Sequence, residues 1–288
     1  MKRKLLAGML GLFLIFRLLP GVSIFWAGHV SGSLLAALAA ASTSFPFALL
    51  EWMSGAGCVL LLGCVFLRKL RRVLCGMLLI MLMLSLSAWY PLYFRPQPAY
   101  AAKDVEIAVL CERLIDQLNA SSGELLPPED LPAKFIRFPQ WMDALEISGL
   151  CSFLTGEALI SPDLPPISQP FVAVHEWMHL RGYAGEGAAN IAAWEECMLR
   201  GGAYAFSARI WALRYAMGFL RQNAPALYDS NLPHMNHGTL QFYREAGGAY
   251  TAAAQPVFLQ RLYTFLGIEN VMQDYEILAP YLAAKYAG

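Results

Sequence analysis

Residues 170–186 read Pro170-Phe171-Val172-Ala173-Val174-His175-Glu176-Trp177-Met178-His179-Leu180-Arg181-Gly182-Tyr183-Ala184-Gly185-Glu186. A proline in the first turn and Gly182 as a stop predict one helix, Phe171 to Arg181. Positions four apart share a helix face, so His175 and His179 can reach one zinc ion. Glu176 sits beside them, placed to take a proton from a water at the metal's open position. With five His and 14 Glu in 288 residues, chance supplies this His-Glu-x-x-His pattern about 0.004 times. The pattern therefore reads as chemistry. The apolar Phe171, Val172, Val174, Trp177 and Met178 allow the helix to be buried.

A catalytic zinc needs a third protein ligand. Gly182 to Gly185 predicts a tight reversal, and Glu186 opens a second helix, Glu186 to Arg200. A short helical hairpin brings Glu186 back toward His179. The plainer role for Glu186 is a carboxylate at a helix N-terminus. Glu195 and Glu196 are rival ligands, about 14 Å further along the helix; their plainer role is an ion-paired or solvated face. Asn190, one turn after Glu186, is placed to hydrogen-bond a ligand imidazole from outside. Candidates for contacting substrate or a developing oxyanion are His234 and His237 in a Pro/Asn/Gly-rich loop, Tyr243 and Tyr275. The simple alternative for both histidines is an ordinary loop role. Thr155-Gly156-Glu157 suggests an edge strand or loop beside an extended peptide, with Glu157 in contact.

Outward from the motif, composition divides the chain. It is 57% hydrophobic and 15% charged, with mean hydropathy +0.45. This excludes a disordered chain and a disulfide-rich mini-protein. Residues 1–93 carry eight basic residues against one acid, Glu51, and the remainder carries 13 against 20. A basic nucleic-acid binder is excluded too, and no nucleic-acid partner is expected. Without a CxxC pair, the six cysteines read as buried reduced thiols.

Residues 1–94 are read as a membrane domain of about three transmembrane helices, 5–26, 47–67 and 73–94. The first is kinked at Pro20 and retained rather than cleaved, since no small-x-small cleavage site follows its apolar core. Residues 27–46 are expected to form an outer loop with a short interfacial helix. Lys2-Arg3-Lys4 and Arg68-Lys69-Leu70-Arg71-Arg72 fix the cytoplasmic side. The N-terminus is then cytoplasmic and residues 95–288 form an extracytoplasmic domain. In that domain the reading is a helix from Asp104 to Leu118, short β-compatible pieces that include Ser152 to Thr155, and helices at 171–181, 186–200, 204–221, 257–266 and 272–286. The expected fold is mainly α.

The sequence also resembles known families. Glu186, Ala189 and Asn190 look like the third-ligand helix of gluzincin metallopeptidases. Phe45-Pro46-Phe47 with Glu51, Tyr93-Phe94-Arg95-Pro96, Ile147-Ser148-Gly149 and Thr155-Gly156-Glu157-Ala158 resemble the bacterial membrane proteins grouped as "domain of unknown function 3810". Pro170-Phe171, His175-Glu176, Arg181-Gly182, Glu186 with Ala189-Asn190, and Gly267-Ile268 through Tyr275 and Leu278 extend that likeness. The resemblance implies a zincin-like (gluzincin-type) domain with little β structure, with His175, His179 and Glu186 as ligands and Glu176 as base. Two positions depart from the family pattern: Ala188 replaces a second acid, and Phe206-Ser207 replaces a Tyr-Ser pair.

The expected activity is a membrane-anchored zinc metallopeptidase in a bacterial cytoplasmic membrane, multi-pass, with the lipid bilayer and a peptide or protein substrate as partners. The rival readings are a non-catalytic zinc-binding sensor or scaffold and a zinc hydrolase of a non-peptide substrate.

Overall fold

Helix dominates from the first residues. The computed structural model describes residues 2–56, 68–96, 99–121, 130–144, 147–248 and 277–287. Helix α1 (Lys2–Leu18) ends where Leu19 leaves the helical region at ψ 76°, as the residue before a proline is pushed to do. Pro20 then opens α2 (Pro20–Trp26). A π turn (Ala27–Ser31) continues without a break into α3 (Gly32–Thr43). This corrects the loop expected over residues 27–46. No proline lies between Pro20 and Pro46, and the Ala/Leu-rich sequence favours helix. The non-helical part shrinks to residues 44–48.

A helix over residues 49–56, α4, follows; the rest of the span expected at 47–67 lies outside the described residues. Helix α5 (Arg68–Trp89) ends in a 3-10 turn, Tyr90–Phe94. Among the described residues, two helical stretches are long and apolar enough to cross a membrane, Pro20–Thr43 and Cys75–Phe94. Leu6–Leu18 is apolar but shorter.

The second half is also mainly helical. Helix α6 (Asp104–Asn119) buries Ile107, Leu110, Leu114 and Leu118 on one face. Three short strands follow, β1 (Lys134–Phe135), β2 (Gly149–Ser152) and β3 (Glu157–Ile160), with α7 (Gln140–Ala144) after β1. The sheet order is β1-β3-β2, with β1 parallel and β2 antiparallel to β3. Ser152 to Thr155 was expected to be strand. Instead it leaves the sheet after Ser152 and turns, because Gly156 takes φ 69° and lets the chain reverse.

Helices α8 (Gln169–Leu180), α9 (Glu186–Arg200), α10 (Gly202–Asn223), α11 (Pro225–Asn231) and α12 (His237–Gly248) come next, and α13 (Leu278–Ala287) closes the chain. The expected helix at 257–266 and most of the one at 272–286 lie outside the described residues. Helix α10 is the hub. Its Ile210, Leu213, Met217 and Leu220 are fully buried and join one core with Leu114 of α6, Trp194 of α9 and Leu282 of α13. Ser207 of α10 accepts the Phe171 N–H at 3.2 Å, which gives an otherwise unpaired amide at the start of α8 a partner. Core and cap together fix α8 beside α9.

Candidate metal centre

Gly182, at φ 96°, ends α8, and its N–H donates to the His179 carbonyl. The reversal returns the chain so that Glu186, in the first turn of α9, faces both histidines of α8. His175 Nε2 lies 3.0 Å from Glu186 Oε2 and 3.2 Å from His179 Nε2. His179 Nε2 lies 3.5 Å from Glu186 Oε2. Ligand atoms about 2.0–2.1 Å from a tetrahedral zinc lie about 3.3 Å from one another. The three edges bracket that value, so this donor set fits such an ion.

The imidazoles are prepared for this. His179 Nδ1 donates to the Tyr183 carbonyl at 2.6 Å. A carbonyl only accepts, so Nδ1 carries a proton, and the other nitrogen, Nε2, faces the cluster. His175 Nδ1 is buried and takes no partner among the described residues.

Glu176 is 7% exposed and turns toward β2. A Cβ on Gly149 would stand 2.5 Å from Glu176 Oε1, so any larger residue there displaces the carboxylate. The Ser161 N–H donates to the Ser148 carbonyl, and the register that follows turns the Cys151 main chain away from β3. Its amide then faces the Glu176 carboxylate. Burial raises the Glu176 carboxyl above its ordinary value, and His175 and His179 offset this only in part. At Glu186 burial pushes the same way, but His179 and His175 outweigh it and hold the carboxyl well below the ordinary range. Burial lowers the His179 imidazole, Glu186 outweighs burial, and the net position is raised to about 9.

His175, His179 and Glu186 come together as the spacing predicts. Their rivals are engaged elsewhere. Glu195 accepts from Tyr281 and Lys285, and Glu196 pairs with Arg200 at 2.8 Å. Asn190 is fully buried, yet neither polar atom of its side chain completes a hydrogen bond among the described residues. It reaches no imidazole and lies beside the Tyr215 hydroxyl. Glu157 is wholly taken up in structure: it accepts the Leu49 and Leu50 N–H groups, Lys134 Nζ at 2.9 Å and Thr155 Oγ1 at 2.8 Å.

The remaining candidates stand apart from the cluster. The His234 carbonyl accepts from Asn119, and His237 starts α12 beside Leu240, Gln241, Arg244 and Glu245. Tyr243 packs between α10 and α12, its ring facing the Arg214 guanidinium, and burial pushes its hydroxyl up to about 12. Tyr275 lies outside the described residues.

Sequence reasoning missed Gly149, Cys151 and Tyr215. Ile147-Ser148-Gly149 was legible as a recurring piece, but nothing in it points to Glu176. Tyr215, half-buried on α10, feels Glu186 across the gap between helices, a proximity no spacing encodes.

A family described as "Protein of unknown function (DUF3810)" matches residues 101–278. The chain belongs to this family. The match takes in the whole His175–Glu186 hairpin and begins after Arg95-Pro96, so the likeness seen in Phe45-Pro46-Phe47 and Tyr93-Phe94 falls outside it. No curated protein and no solved structure matches the chain.

Proposed function

We propose that this member of the DUF3810 family is a membrane-anchored zinc metallopeptidase of zincin-like, gluzincin type. The observation that carries this is the set of three donor-atom separations, 3.0, 3.2 and 3.5 Å, among His175, His179 and Glu186, with a buried carboxylate, Glu176, next to them in sequence. His175, His179 and Glu186 hold the ion. When bound, zinc supplies Lewis acidity for the hydrolysis.

The rest of the chemistry belongs to the chain. Glu176 takes a proton at its carboxylate from the attacking water and returns it to the leaving amine nitrogen. Its buried carboxylate, next in sequence to His175, is placed for both tasks. Gly149 and the Cys151 amide hold it in place. Strand β2 is the outer strand of the sheet, and Glu176 sits on its unpaired side. An extended peptide can lie there by adding a strand, which favours a peptide over other substrates.

The apolar stretches Leu6–Leu18 and Cys75–Phe94 and the concentration of basic residues at 2–4 and 68–72 support a multi-pass protein of the bacterial cytoplasmic membrane. In that arrangement the basic ends are cytoplasmic and the metal site is on the other side.

Metal content of the detergent-purified protein tests the reading. About one zinc per chain is expected, falling more than 100-fold in affinity in both His175→Ala and Glu186→Ala, since even changes outside the ligand set cost about 10–100-fold. No zinc after reloading the wild type refutes it. Zinc retained in Glu186→Ala moves the third ligand elsewhere.

A further inference from the structure

Pro20–Thr43 has the length and composition of a membrane span, but its contacts assign it another place. We infer that α2 and α3 lie in the plane of the bilayer and seat the metal-site domain on the lipid surface.

From Ala27 onward this segment touches the charged domain. At Ala27 the Arg95 guanidinium donates to the main-chain carbonyl and, at 3.3 Å, to the Gly182 carbonyl just past the metal-site helix. One turn into α3, Leu35 is fully buried in a cluster with Leu92 and Ala184. A further turn on, the Ala39 backbone nitrogen is 2.5 Å from where a Cβ on Gly156 would stand. At its end Ser42 Oγ donates to the Gly156 carbonyl at 3.1 Å, and Lys134 Nζ donates to the Ser42 carbonyl at 2.8 Å. Ala27 to Ser42 covers about 22 Å of helix. A helix that crosses a hydrocarbon core of about 30 Å meets an extramembrane domain at one end, within a turn or two. This one meets it at Ala27, Leu35, Ala39 and Ser42, spread over that whole distance.

The neighbouring helices end at the same level. Trp26 Nε1 and Ser31 Oγ donate to the Ser87 carbonyl, in the last turn of α5. Phe13 and Phe16, near the end of α1, pack on Tyr90. The first amides of α4, those of Leu49 and Leu50, are held by Glu157 of the sheet. So α2–α3 starts and finishes on the domain's side, while the basic clusters sit at the far ends of α1 and α5.

What covers the opposite face is lipid. From Leu18 to Leu50 the chain has no Asp, Glu, Lys or Arg. Its outward side presents Val22, Ile24, Phe25, Phe45 and Phe47. This surface continues into the exposed apolar sides of α1 and α5, at Leu14, Leu18, Met77 and Ile80. An uncharged face of this extent, flanked by aromatic side chains, fits an apolar surrounding, and the contacts of the opposite face with the domain hold it at the domain's level. In combination with the metallopeptidase reading, on which this consequence alone rests, the seat selects peptide segments that emerge beside a membrane.

Depth measurement decides it. A nitroxide on an encoded keto side chain is placed singly at Ser33, Ala37, Ala40 and Ser44, all exposed on α3 and the turn after it. The full chain is reconstituted in phosphatidylethanolamine/phosphatidylglycerol vesicles. Relative accessibility to oxygen and to a nickel chelate is then converted to depth. An in-plane helix gives four depths within about 4 Å of one another, near the headgroup boundary. A crossing helix separates Ser33 from Ser44 by about 16 Å, and such a gradient overturns the inference. Four water-exposed labels, or four labels shielded from both reagents as at a contact between two copies, overturn it as well. The readout uses neither zinc nor turnover, so it stands or falls separately from the metal site.

Discussion

Around α8 and α9 polar groups are inside: His175, Glu176, His179 and Asn190 are at most 8% exposed, within a shell of Phe171, Val174 and Trp194. Along α1 to α5 the order reverses. Leu6 is 59% exposed, Phe25 62% and Leu18 68%, while Ser23 and Ser31 are fully buried. Burying a polar group is costly unless it finds partners, and exposing a large apolar one to water is unfavourable. The first region offsets the cost of burying its histidines by pairing them with each other, with Glu186 and with the Tyr183 carbonyl. The second turns large apolar side chains outward and keeps small polar ones inside. The two regions meet at the Lys134–Glu157 pair and at Arg95, so the metal-site domain and the apolar helices are one mechanical unit.

The sharpest test of the first region is Glu176→Gln. The substitution keeps the size of the side chain and removes the proton acceptor. Zinc content is expected to stay at the wild-type level while peptide turnover falls about 10²–10⁴-fold. Loss of the metal as well would mean that Glu176 holds the fold of the site rather than the proton. Gly149→Ala comes next. Its methyl would fall 2.5 Å from Glu176 Oε1, so the carboxylate must shift. An expected loss of about 10–100-fold in kcat, with zinc retained, follows from misplacement near the reacting atoms. Unchanged kcat would detach β2 from the chemistry.

The joint between the regions is tested at Glu157. Its side chain is fully buried against Lys134, and Glu157→Gln leaves that cation without its counter-charge. Breaking such a pair is expected to destabilise the domain by about 3–5 kcal/mol, read as a lower thermal midpoint in detergent. A pH dependence accompanies it. Burial pushes the Glu157 carboxyl up, but Lys134, the Leu49 and Leu50 amides and Thr155 hold it below the ordinary carboxylate value. A lowered folded-state value contributes stability that is complete above the unfolded value, about 4.3, and is lost as pH falls toward the folded one. The wild-type midpoint should therefore drop on acidification below about pH 4, and Glu157→Gln should lack that component. Equal acid sensitivity in both would place the relevant carboxylate elsewhere.

These tests trace what the sequence could carry. The helices from Glu186 to Arg200 and from Asp104 were legible because local period, a glycine stop and first-turn acids all point the same way. The hairpin that joins His179 to Glu186 was legible for the same reason, since everything it needs lies within twelve residues. The structural role of Glu157 was not legible because two of its partners, the Leu49 and Leu50 amides, are more than a hundred residues away and no periodicity links them. Residues 27–46 were misread as mostly loop because Gly28, Ser31, Gly32 and Ser33 suggest a turn in water. In the structure Ser31 and Ser42 turn their hydroxyls to the Ser87 and Gly156 carbonyls, and the Ala/Leu-rich remainder keeps the backbone helical.

The smallest effect is expected at Asn190, and its size separates two roles. If Asn190 oriented a ligand imidazole, its removal would reduce zinc affinity about 10–100-fold. Its buried Oδ1 and Nδ2 complete no hydrogen bond among the described residues, and the nearby hydroxyl is that of Tyr215 on α10. Truncating a fully buried amide forfeits little hydrogen bonding here but leaves a small cavity. Asn190→Ala is therefore expected to keep zinc affinity within about threefold of the wild type and to lower the thermal midpoint slightly. A tenfold loss of zinc would show that the amide closes on His175 Nδ1, the other unpartnered polar atom at the site, once the ion is bound. Tyr215→Phe distinguishes these outcomes further: it should leave zinc untouched in either case, and a fall in turnover alone would give the hydroxyl, rather than the amide beside it, the role of steadying substrate.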